Sequence, residues 1–128
     1  MNDPISDMLI RIKNAQHAKQ EMVRIPYSQM KHEIAQALER SGMVGASERK
    51  GKRIRKILDL KLLYPDGRPA ITKVKLISKP SRRLYASYRE LYRAPRGGII
   101  LLTTPKGIMS SEEARKQKVG GQLIAEIW

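Results

Sequence analysis

The apolar residues of this chain repeat at two different spacings, and the change between them most restricts the fold. Near the N-terminus, from Ile5 to Ala15, they recur every three or four residues, as on one face of a helix. From Ile71 onward they alternate with polar residues or form short continuous runs, as in strands. The turn-forming segment YPDGRP, residues 64–69, separates the two patterns. We therefore predict an α+β protein of two small domains, residues 1–66 and 67–128.

The N-terminal half begins with a pattern typical of helix, strand and helix. In the first helix Asp3 can cap the N-terminus, Pro4 suits the first position and Ile10 lies off the apolar face, which contains Ile5, Met8, Leu9, Ile12 and Ala15. The segment VRIP, residues 23–26, is a predicted strand. Ser28 can cap the second helix and Gly42 can end it in a left-handed turn. Its predicted apolar face contains Met30, Ile34, Ala37 and Leu38.

A hairpin is predicted to complete the N-terminal domain. Residues 43–47 form its first strand, ERKGKR its turn and residues 57–64 its second strand. In the second strand three leucines alternate with Asp59 and Lys61, so we expect these two polar side chains on the solvent face. The leucines are Leu58, Leu60 and Leu62. The predicted unit is helix, strand, helix, strand, strand.

The C-terminal half is predicted to be an antiparallel sheet with one short helix. Strands are expected at residues 71–77, at residues 84–86, in the segment GGIILLTT and in the terminal LIAEIW. Ser110 and Glu113 have the spacing of a capping box, which predicts a helix of about two turns beginning there. Gly120 and Gly121 are expected to end that helix.

The charge of the chain indicates a polyanionic partner. Its 26 Lys and Arg residues exceed its 12 Asp and Glu residues by 14. The excess is +6 in residues 1–64 (13 against 7) and +8 in residues 65–128 (13 against 5), so it is not confined to a tail. Nucleic acid is the expected partner, and the low aromatic content, 5% with no Phe, favours duplex shape and phosphates over stacking on single strands. A basic soluble enzyme or a membrane-surface binder would share the same balance.

Enzymatic and metal-binding motifs are lacking in the sequence. Without cysteine, thiol catalysis and cysteine-ligated metal are excluded, and a reducing compartment fits. Glu112 and Glu113 are adjacent carboxylates, but they suit the start of a helix. Both histidines, His17 and His32, lie off the predicted apolar faces, where a solvated side chain is the simplest interpretation. There is no apolar run long enough for a membrane span and no signal-peptide pattern. We expect a cytoplasmic protein without cofactor, small-molecule substrate or membrane partner.

Three basic clusters could hold phosphates, although a charged run is often only a solvated surface. The first, at the predicted hairpin tip, includes Lys50, Lys52 and Arg53. A second flanks Pro80 and contains Lys79, Arg82 and Arg83, and the third contains Arg89, Arg93 and Arg96. With few acidic neighbours, such clusters suit contacts that position a protein on a duplex without reading its sequence.

The segment TTPKG, residues 103–107, differs from these runs because it is not simply charged. Thr103 and Thr104 carry hydroxyls that donate and accept, Pro105 restricts the backbone, Lys106 offers one cation and Gly107 permits close approach. Hydroxyls on a rigid loop suit ribose 2′-OH groups and base edges in the shallow minor groove of RNA. A polar connection built around a turn fits the same residues.

Four segments of the chain, in order, resemble one known family. They are DPISDMLIRIKNA at residues 3–15, ISKPSRRLY at residues 77–85, TTPKGIMSSEEARKQKVGG, and the terminal LIAEIW. Together they resemble the eighth protein of the bacterial small ribosomal subunit, ribosomal protein S-eight. The resemblance implies a non-enzymatic two-domain α+β protein that binds the central domain of small-subunit ribosomal RNA and stabilises its fold during assembly. It also implies neighbouring ribosomal proteins as partners and admits the protein's own messenger RNA as another.

The resemblance further implies that the C-terminal domain makes the main RNA contacts through a Ser-Thr-Ser-Lys-Gly loop. That loop corresponds here to TTPKG, in which Pro105 replaces the last hydroxyl. Ser81 stands where glycine is usual, Arg96 begins Arg-Gly-Gly where Gly-Leu-Gly is typical, and Gln122 replaces glutamate. The predicted RNA-binding set outside the loop is Lys79, Pro80, Ser81, Arg82, Arg83, Tyr85, Arg96, Gly120, Gly121, Gln122, Arg11, Asn14, Lys31, Lys50, Lys52 and Arg53. Two other functions stay open: an RNA-modifying enzyme and an architectural nucleic-acid binder.

Overall fold

A computed structural model describes residues 4–52, 55–79 and 81–128, so the predicted cap Asp3 lies outside the described residues. The chain separates into two compact units, Met1–Thr72 and Lys73–Trp128. The three α-helices and two antiparallel sheets found among the described residues confirm the predicted α+β class. None of the described helices combines the length and the apolarity that crossing a membrane requires.

The first unit packs two helices with a three-stranded sheet. Helix α1 spans Pro4–His17 and α2 spans Gln29–Arg40, while β1, Met22–Pro26, pairs with β3, Ile57–Lys61, which also pairs with β2, Ser47–Lys50. Apolar side chains from all these layers are fully buried, including Met8, Ile34, Ile25, Leu58 and Leu60. Ser28 caps α2 by accepting from the backbone N–H of Lys31 at 3.1 Å, and Gly42 has a φ of +75°, both as predicted.

Three expectations for the first unit were wrong. Met30 is 49% exposed, because it lies in the first turn of α2 rather than on the buried face. The hairpin strands are Ser47–Lys50 and Ile57–Lys61 instead of residues 43–47 and 57–64, so part of the expected turn ERKGKR is strand. Asp59 is 3% exposed although the alternation places it on the solvent face, because long basic side chains cover it. Ile10 is 42% exposed, as expected.

The second unit is a five-stranded antiparallel sheet with one helix. Its strands are β4 Val74–Leu76, β5 Tyr85–Ala86, β6 Ile99–Thr104, β7 Gly107–Ser110 and β8 Gly121–Ile127. They follow the order β4-β8-β6-β7, and β5 pairs with the other end of β8 from β4. Helix α3, Ser111–Gln117, packs over one face, where the core contains Leu91, Ala94, Ile100, Leu102, Met109, Ala114 and Leu123.

The start of α3 was predicted correctly, and its surroundings were not. The capping box of Ser110 and Glu113 is present, with bonds of 3.2 and 3.0 Å. However, Gly107–Ser110 is a strand that the pattern did not indicate, and β4 is shorter than the predicted 71–77. The helix ends at Gln117, followed by Lys118 as a left-handed cap with a φ of +56°, and not at the two glycines.

Gly120 and Gly121 are needed for close approach between strands. A Cβ atom on Gly121 would lie 1.8 Å from the carbonyl oxygen of Thr103, and one on Gly120 would lie 2.3 Å from that of Ala86. Real Cβ atoms do not approach oxygen so closely, so any side chain here would force the strands apart. The pair therefore lets β8 begin directly between β5 and β6.

Candidate nucleic-acid interface

The segment TTPKG forms the tip of the β6–β7 hairpin. Thr104 pairs with Gly107 in the strand register, which leaves Pro105 and Lys106 as an exposed two-residue turn. The Thr104 hydroxyl donates to the Gly107 carbonyl oxygen at 2.8 Å and accepts from the Lys106 N–H at 3.1 Å. Its hydrogen is therefore used within the turn, and only an oxygen lone pair remains for a ligand. The segment is a closed hairpin rather than a simple connection to the helix.

A row of three side chains crosses the sheet beside this tip. In the register, Tyr85 of β5 lies opposite Gln122 of β8, and Gln122 lies opposite Thr103 of β6. Directly paired residues point to the same side of a sheet, and Thr103 points away from the core side chain of its neighbour Leu102. Tyr85 is 70% exposed. Within the described residues neither the Thr103 hydroxyl nor the Gln122 amide has a hydrogen-bond partner, so both are available to a ligand.

A basic hairpin joins β4 to β5 next to this row. Lys79 and Arg82 exchange two backbone hydrogen bonds, of 2.8 and 2.9 Å, across its tip. At its base the Ser78 hydroxyl accepts from the Leu84 N–H at 3.0 Å, and the Leu84 carbonyl accepts from Leu123, next to Gln122 in β8. The exposed residues of the tip are Lys79, Ser81, Arg82 and Arg83. Pro80 lies outside the described residues. The hairpin base thus places a basic tip near the polar row.

Arg96 lies at the other end of β8 from the polar row. Its Nη1 donates to Oε1 of Glu126 at 3.0 Å, and its guanidinium carbon lies 4.6 Å from the centre of the Trp128 ring. Glu126 follows Gln122 by four residues, or about 13 Å along a strand. The structure therefore does not bring Arg96 together with Thr103, Gln122 and Tyr85.

In the first unit the predicted RNA-binding residues are scattered. Arg11 and Asn14 are exposed on α1, where Arg11 forms an ion pair with Asp7 at 3.4 Å, and Lys31 is half-buried on α2. Lys52 is exposed, and Arg53 lies outside the described residues. The ammonium group of Lys50 lies 3.3 Å from a carboxylate oxygen of Asp59. Lys50 is thus part of a structural ion cluster as well as a candidate contact.

Asp59 is the centre of that cluster, which the sequence pattern did not indicate. Nε of Arg24 donates to Oδ1 of Asp59 at 2.9 Å, and the Lys50 ammonium is the second cation. The hydrogen bond from Arg24 lowers the pKa of Asp59, and the contribution of Lys50 adds to it, while burial opposes the shift. The same bond raises the pKa of Arg24. In the sequence, the only sign of a buried ion pair was an aspartate placed between two leucines of a predicted strand.

Comparison with known proteins assigns the chain to a family. The family model described as Ribosomal protein S8 matches residues 3–128. The chain is 42% identical to the small ribosomal subunit protein uS8 of Vesicomyosocius okutanii over 129 residues, which cover 100% of this chain and 98% of that protein. It is 42% identical to the protein of the same name from Thermus aquaticus, with 100% and 99% covered.

The chain belongs to the ribosomal protein S8 family. As a member of the S8 family it is a structural component of the small ribosomal subunit and not an enzyme, which agrees with the prediction from the sequence. The S8-family assignment also fits the side chains that were set aside as catalytic candidates. His17 bonds through Nε2 to the carbonyl oxygen of Thr72 at 3.0 Å, and the ring of His32 meets the Tyr27 ring edge-on at 5.8 Å.

Proposed function

We propose that this protein binds directly to the central domain of small-subunit ribosomal RNA and stabilises that RNA fold during assembly of the subunit. One observation carries the proposal. The Thr103 hydroxyl and the Gln122 amide, which have no hydrogen-bond partner within the described residues, lie side by side at the end of the sheet where the basic hairpin joins. Groups that both donate and accept, placed next to cations, are suited to sugar hydroxyls next to phosphates.

The chemistry divides between the members of this surface. Thr103 and Gln122 contact ribose 2′-OH groups or base edges in the minor groove, where RNA displays both. Lys79, Arg82 and Arg83 on the basic hairpin, with Lys106 at the β6–β7 turn, contact phosphates and position the protein. The small side chain of Ser81 permits close approach of the RNA, and Gly120 and Gly121 allow the close strand pairing that places Gln122 beside Thr103 and Tyr85. Tyr85, as a single exposed ring, suits one unstacked base or one ribose face.

The turn and the first unit have supporting roles in the proposal. Thr104 holds the β6–β7 turn closed, while Pro105 restricts the backbone and Gly107 adopts a φ of +112° that favours glycine. On the first unit, Arg11, Asn14, Lys31, Lys50 and Lys52 supply contacts of their own to the RNA backbone. The exposed ion pair of Arg11 with Asp7 contributes little to stability, so Arg11 can exchange its partner for a phosphate at small cost.

The proposed partners extend beyond the ribosomal RNA. Neighbouring small-subunit proteins are expected to cover exposed apolar side chains of the first unit, such as Ile10. The protein's own messenger RNA would be a ligand if it folds into the same local structure as the ribosomal site, because the two RNAs would then compete for one surface. A competition experiment between the two RNAs, followed by the loss of bound ribosomal RNA, tests this point. All these partners belong to the cytoplasmic translation apparatus.

Nuclease footprinting of the purified protein on naked small-subunit ribosomal RNA tests the proposed function. We expect one compact protected region in the central domain, and we expect a DNA duplex of the same sequence to compete poorly because it lacks 2′-OH groups. The Thr103→Val variant should lose affinity for that region, whereas Thr103→Ser should retain it. Diffuse protection along the RNA, or equal competition by DNA, would instead support an architectural binder that recognises charge alone.

A further inference from the structure

A second basic surface lies on the other side of the C-terminal sheet. Arg93, Arg115 and Lys116, together with Glu112, line an open depression of about 440 Å³. We call these four residues the helix-side patch. The three cations outnumber the one carboxylate, which lies 3.5 Å from Nε of Arg93. Among the described residues, Arg115 and Lys116 form no ion pair, and both side chains are exposed.

The helix-side patch is built on fixed elements. Ala114 is fully buried in the core and precedes Arg115 and Lys116 on α3, so the helix presents these two cations outward. The Ser111 hydroxyl donates to the Tyr92 carbonyl oxygen at 3.0 Å, which ties the segment carrying Arg93 to the start of α3. The backbone positions that carry the three cations are therefore fixed relative to one another.

The helix-side patch faces away from the row of Tyr85, Gln122 and Thr103. Helix α3 covers the face of the sheet that carries Leu102 and Leu123, whereas Thr103 and Gln122, the next residues in each strand, point to the opposite face. A straight duplex docked on the Thr103 face cannot reach around the sheet to α3. Any nucleic acid held by the helix-side patch must be another segment.

We propose that the helix-side patch binds a second stretch of RNA backbone, so that the C-terminal unit bridges two RNA segments across its sheet. This inference rests on the proposed RNA-binding function. Its ligand is the phosphodiester backbone, because the four described side chains that line the depression are all charged, whereas a docked protein would be expected to meet an apolar centre. With one carboxylate for three cations, the patch carries the charge opposite to phosphate. Holding two segments at a set distance is a direct way to stabilise an RNA fold.

The absence of cysteine from the sequence allows a sharp test. Single thiols are introduced at exposed positions, Gln117→Cys beside the helix-side patch and Ser87→Cys just beyond Tyr85, and each is coupled to a chelated iron that generates hydroxyl radicals. The full-length proteins are bound to small-subunit ribosomal RNA and strand breaks are mapped. We expect the Ser87 probe to cut near the region protected by the parent protein, and the Gln117 probe to cut a separate backbone segment.

Two double variants that remove the same charge then show whether the helix-side patch itself holds the second RNA segment. In the Gln117→Cys background, Arg115→Ala with Lys116→Ala should abolish cleavage of the second segment and reduce the slope of log affinity on log salt by about 2. Lys73→Ala with Lys75→Ala removes the same charge elsewhere in the unit and should leave that cleavage intact. Unchanged unfolding midpoints would establish that the variants are folded.

Each other result has a distinct meaning. If the Ser87 probe cuts RNA and the Gln117 probe cuts nothing, or cuts only the same nucleotides, the second contact does not exist. Loss of cleavage in the control pair as well would assign the effect to net charge and would also overturn the proposal. An absence of any RNA protection by the parent protein would instead refute the proposed function itself. Cleavage of a neighbouring ribosomal protein in assembled subunits, without cleavage of naked RNA, would overturn the proposal by making the patch a protein contact.

Discussion

Replacing Thr104 with valine tests whether its hydroxyl stabilises the β6–β7 turn rather than binding a ligand. The change keeps the shape of the side chain and removes both hydrogen bonds of the hydroxyl, the one donated to Gly107 at 2.8 Å and the one accepted from Lys106 at 3.1 Å. Each such bond contributes roughly 0.5–1.5 kcal/mol. The Lys106 N–H is exposed and can bind water instead, so we expect a total loss of about 1–2 kcal/mol in the free energy of unfolding.

The fluorescence of Trp128 reports the unfolding of the second unit, which contains the β6–β7 turn. It is the only tryptophan of the chain and directly follows β8, a strand of the same sheet as the turn. For a unit of this size the urea dependence of the unfolding free energy is about 1 kcal/mol per M, so the midpoint should fall by about 1–2 M. Thr104→Ser keeps the hydroxyl and should restore most of the midpoint.

The matched control is Thr103→Val at the preceding position. Its hydroxyl has no hydrogen-bond partner within the described residues, so the unfolding midpoint should stay close to that of the parent. Affinity for cognate RNA should instead fall by about 1–3 kcal/mol, because the RNA group that it contacts is left unsatisfied. If Thr104→Val unfolds at the parent midpoint, the hydroxyl does not support the turn. If Thr103→Val binds RNA as tightly as the parent, the polar row is not the contact surface.

Three further changes test other parts of the structure. Arg24 lowers the pKa of Asp59 in the folded protein. The charged carboxylate therefore stabilises the first unit fully above the pKa of an unfolded aspartate, about 3.9. This stability is lost as the pH falls through the lower pKa of the folded state. Asp59→Asn should remove that part of the acid dependence in urea unfolding followed by circular dichroism, and an unchanged acid dependence would show that the cluster contributes nothing. Gly121→Ala should destabilise the second unit by about 1–3 kcal/mol, because the added Cβ would overlap the Thr103 carbonyl oxygen. If the variant gives the same Trp128 unfolding curve as the parent, the strands do not need a glycine at this position. Lys52→Ala should reduce the slope of log RNA affinity on log salt by about 1 without changing site preference, and an unaltered slope would make this lysine a solvated side chain.

Local patterns were enough to predict that the three helices exist, where α3 begins and what general class of partner the protein has. The capping box of Ser110 and Glu113 depends on residues three positions apart, and the apolar face of α1 depends on spacings of three and four, so both could be predicted from nearby residues. Charge is a property of composition, so the excess of Lys and Arg by itself indicates a polyanionic partner.

Only the tertiary structure decided which distant residues meet. Asp59 looked like a solvent-facing strand residue, and its burial depends on Arg24, 35 positions away in the chain. Gly121 looked like the end of a helix, and its requirement comes from the Thr103 carbonyl on a neighbouring strand. The row of Thr103, Gln122 and Tyr85 exists because three strands pair in one register, and a shift of a single residue would turn a strand's side chains to the other face. Register is set by the packing of the whole sheet, and this is why the candidate surface could be assembled only from the fold.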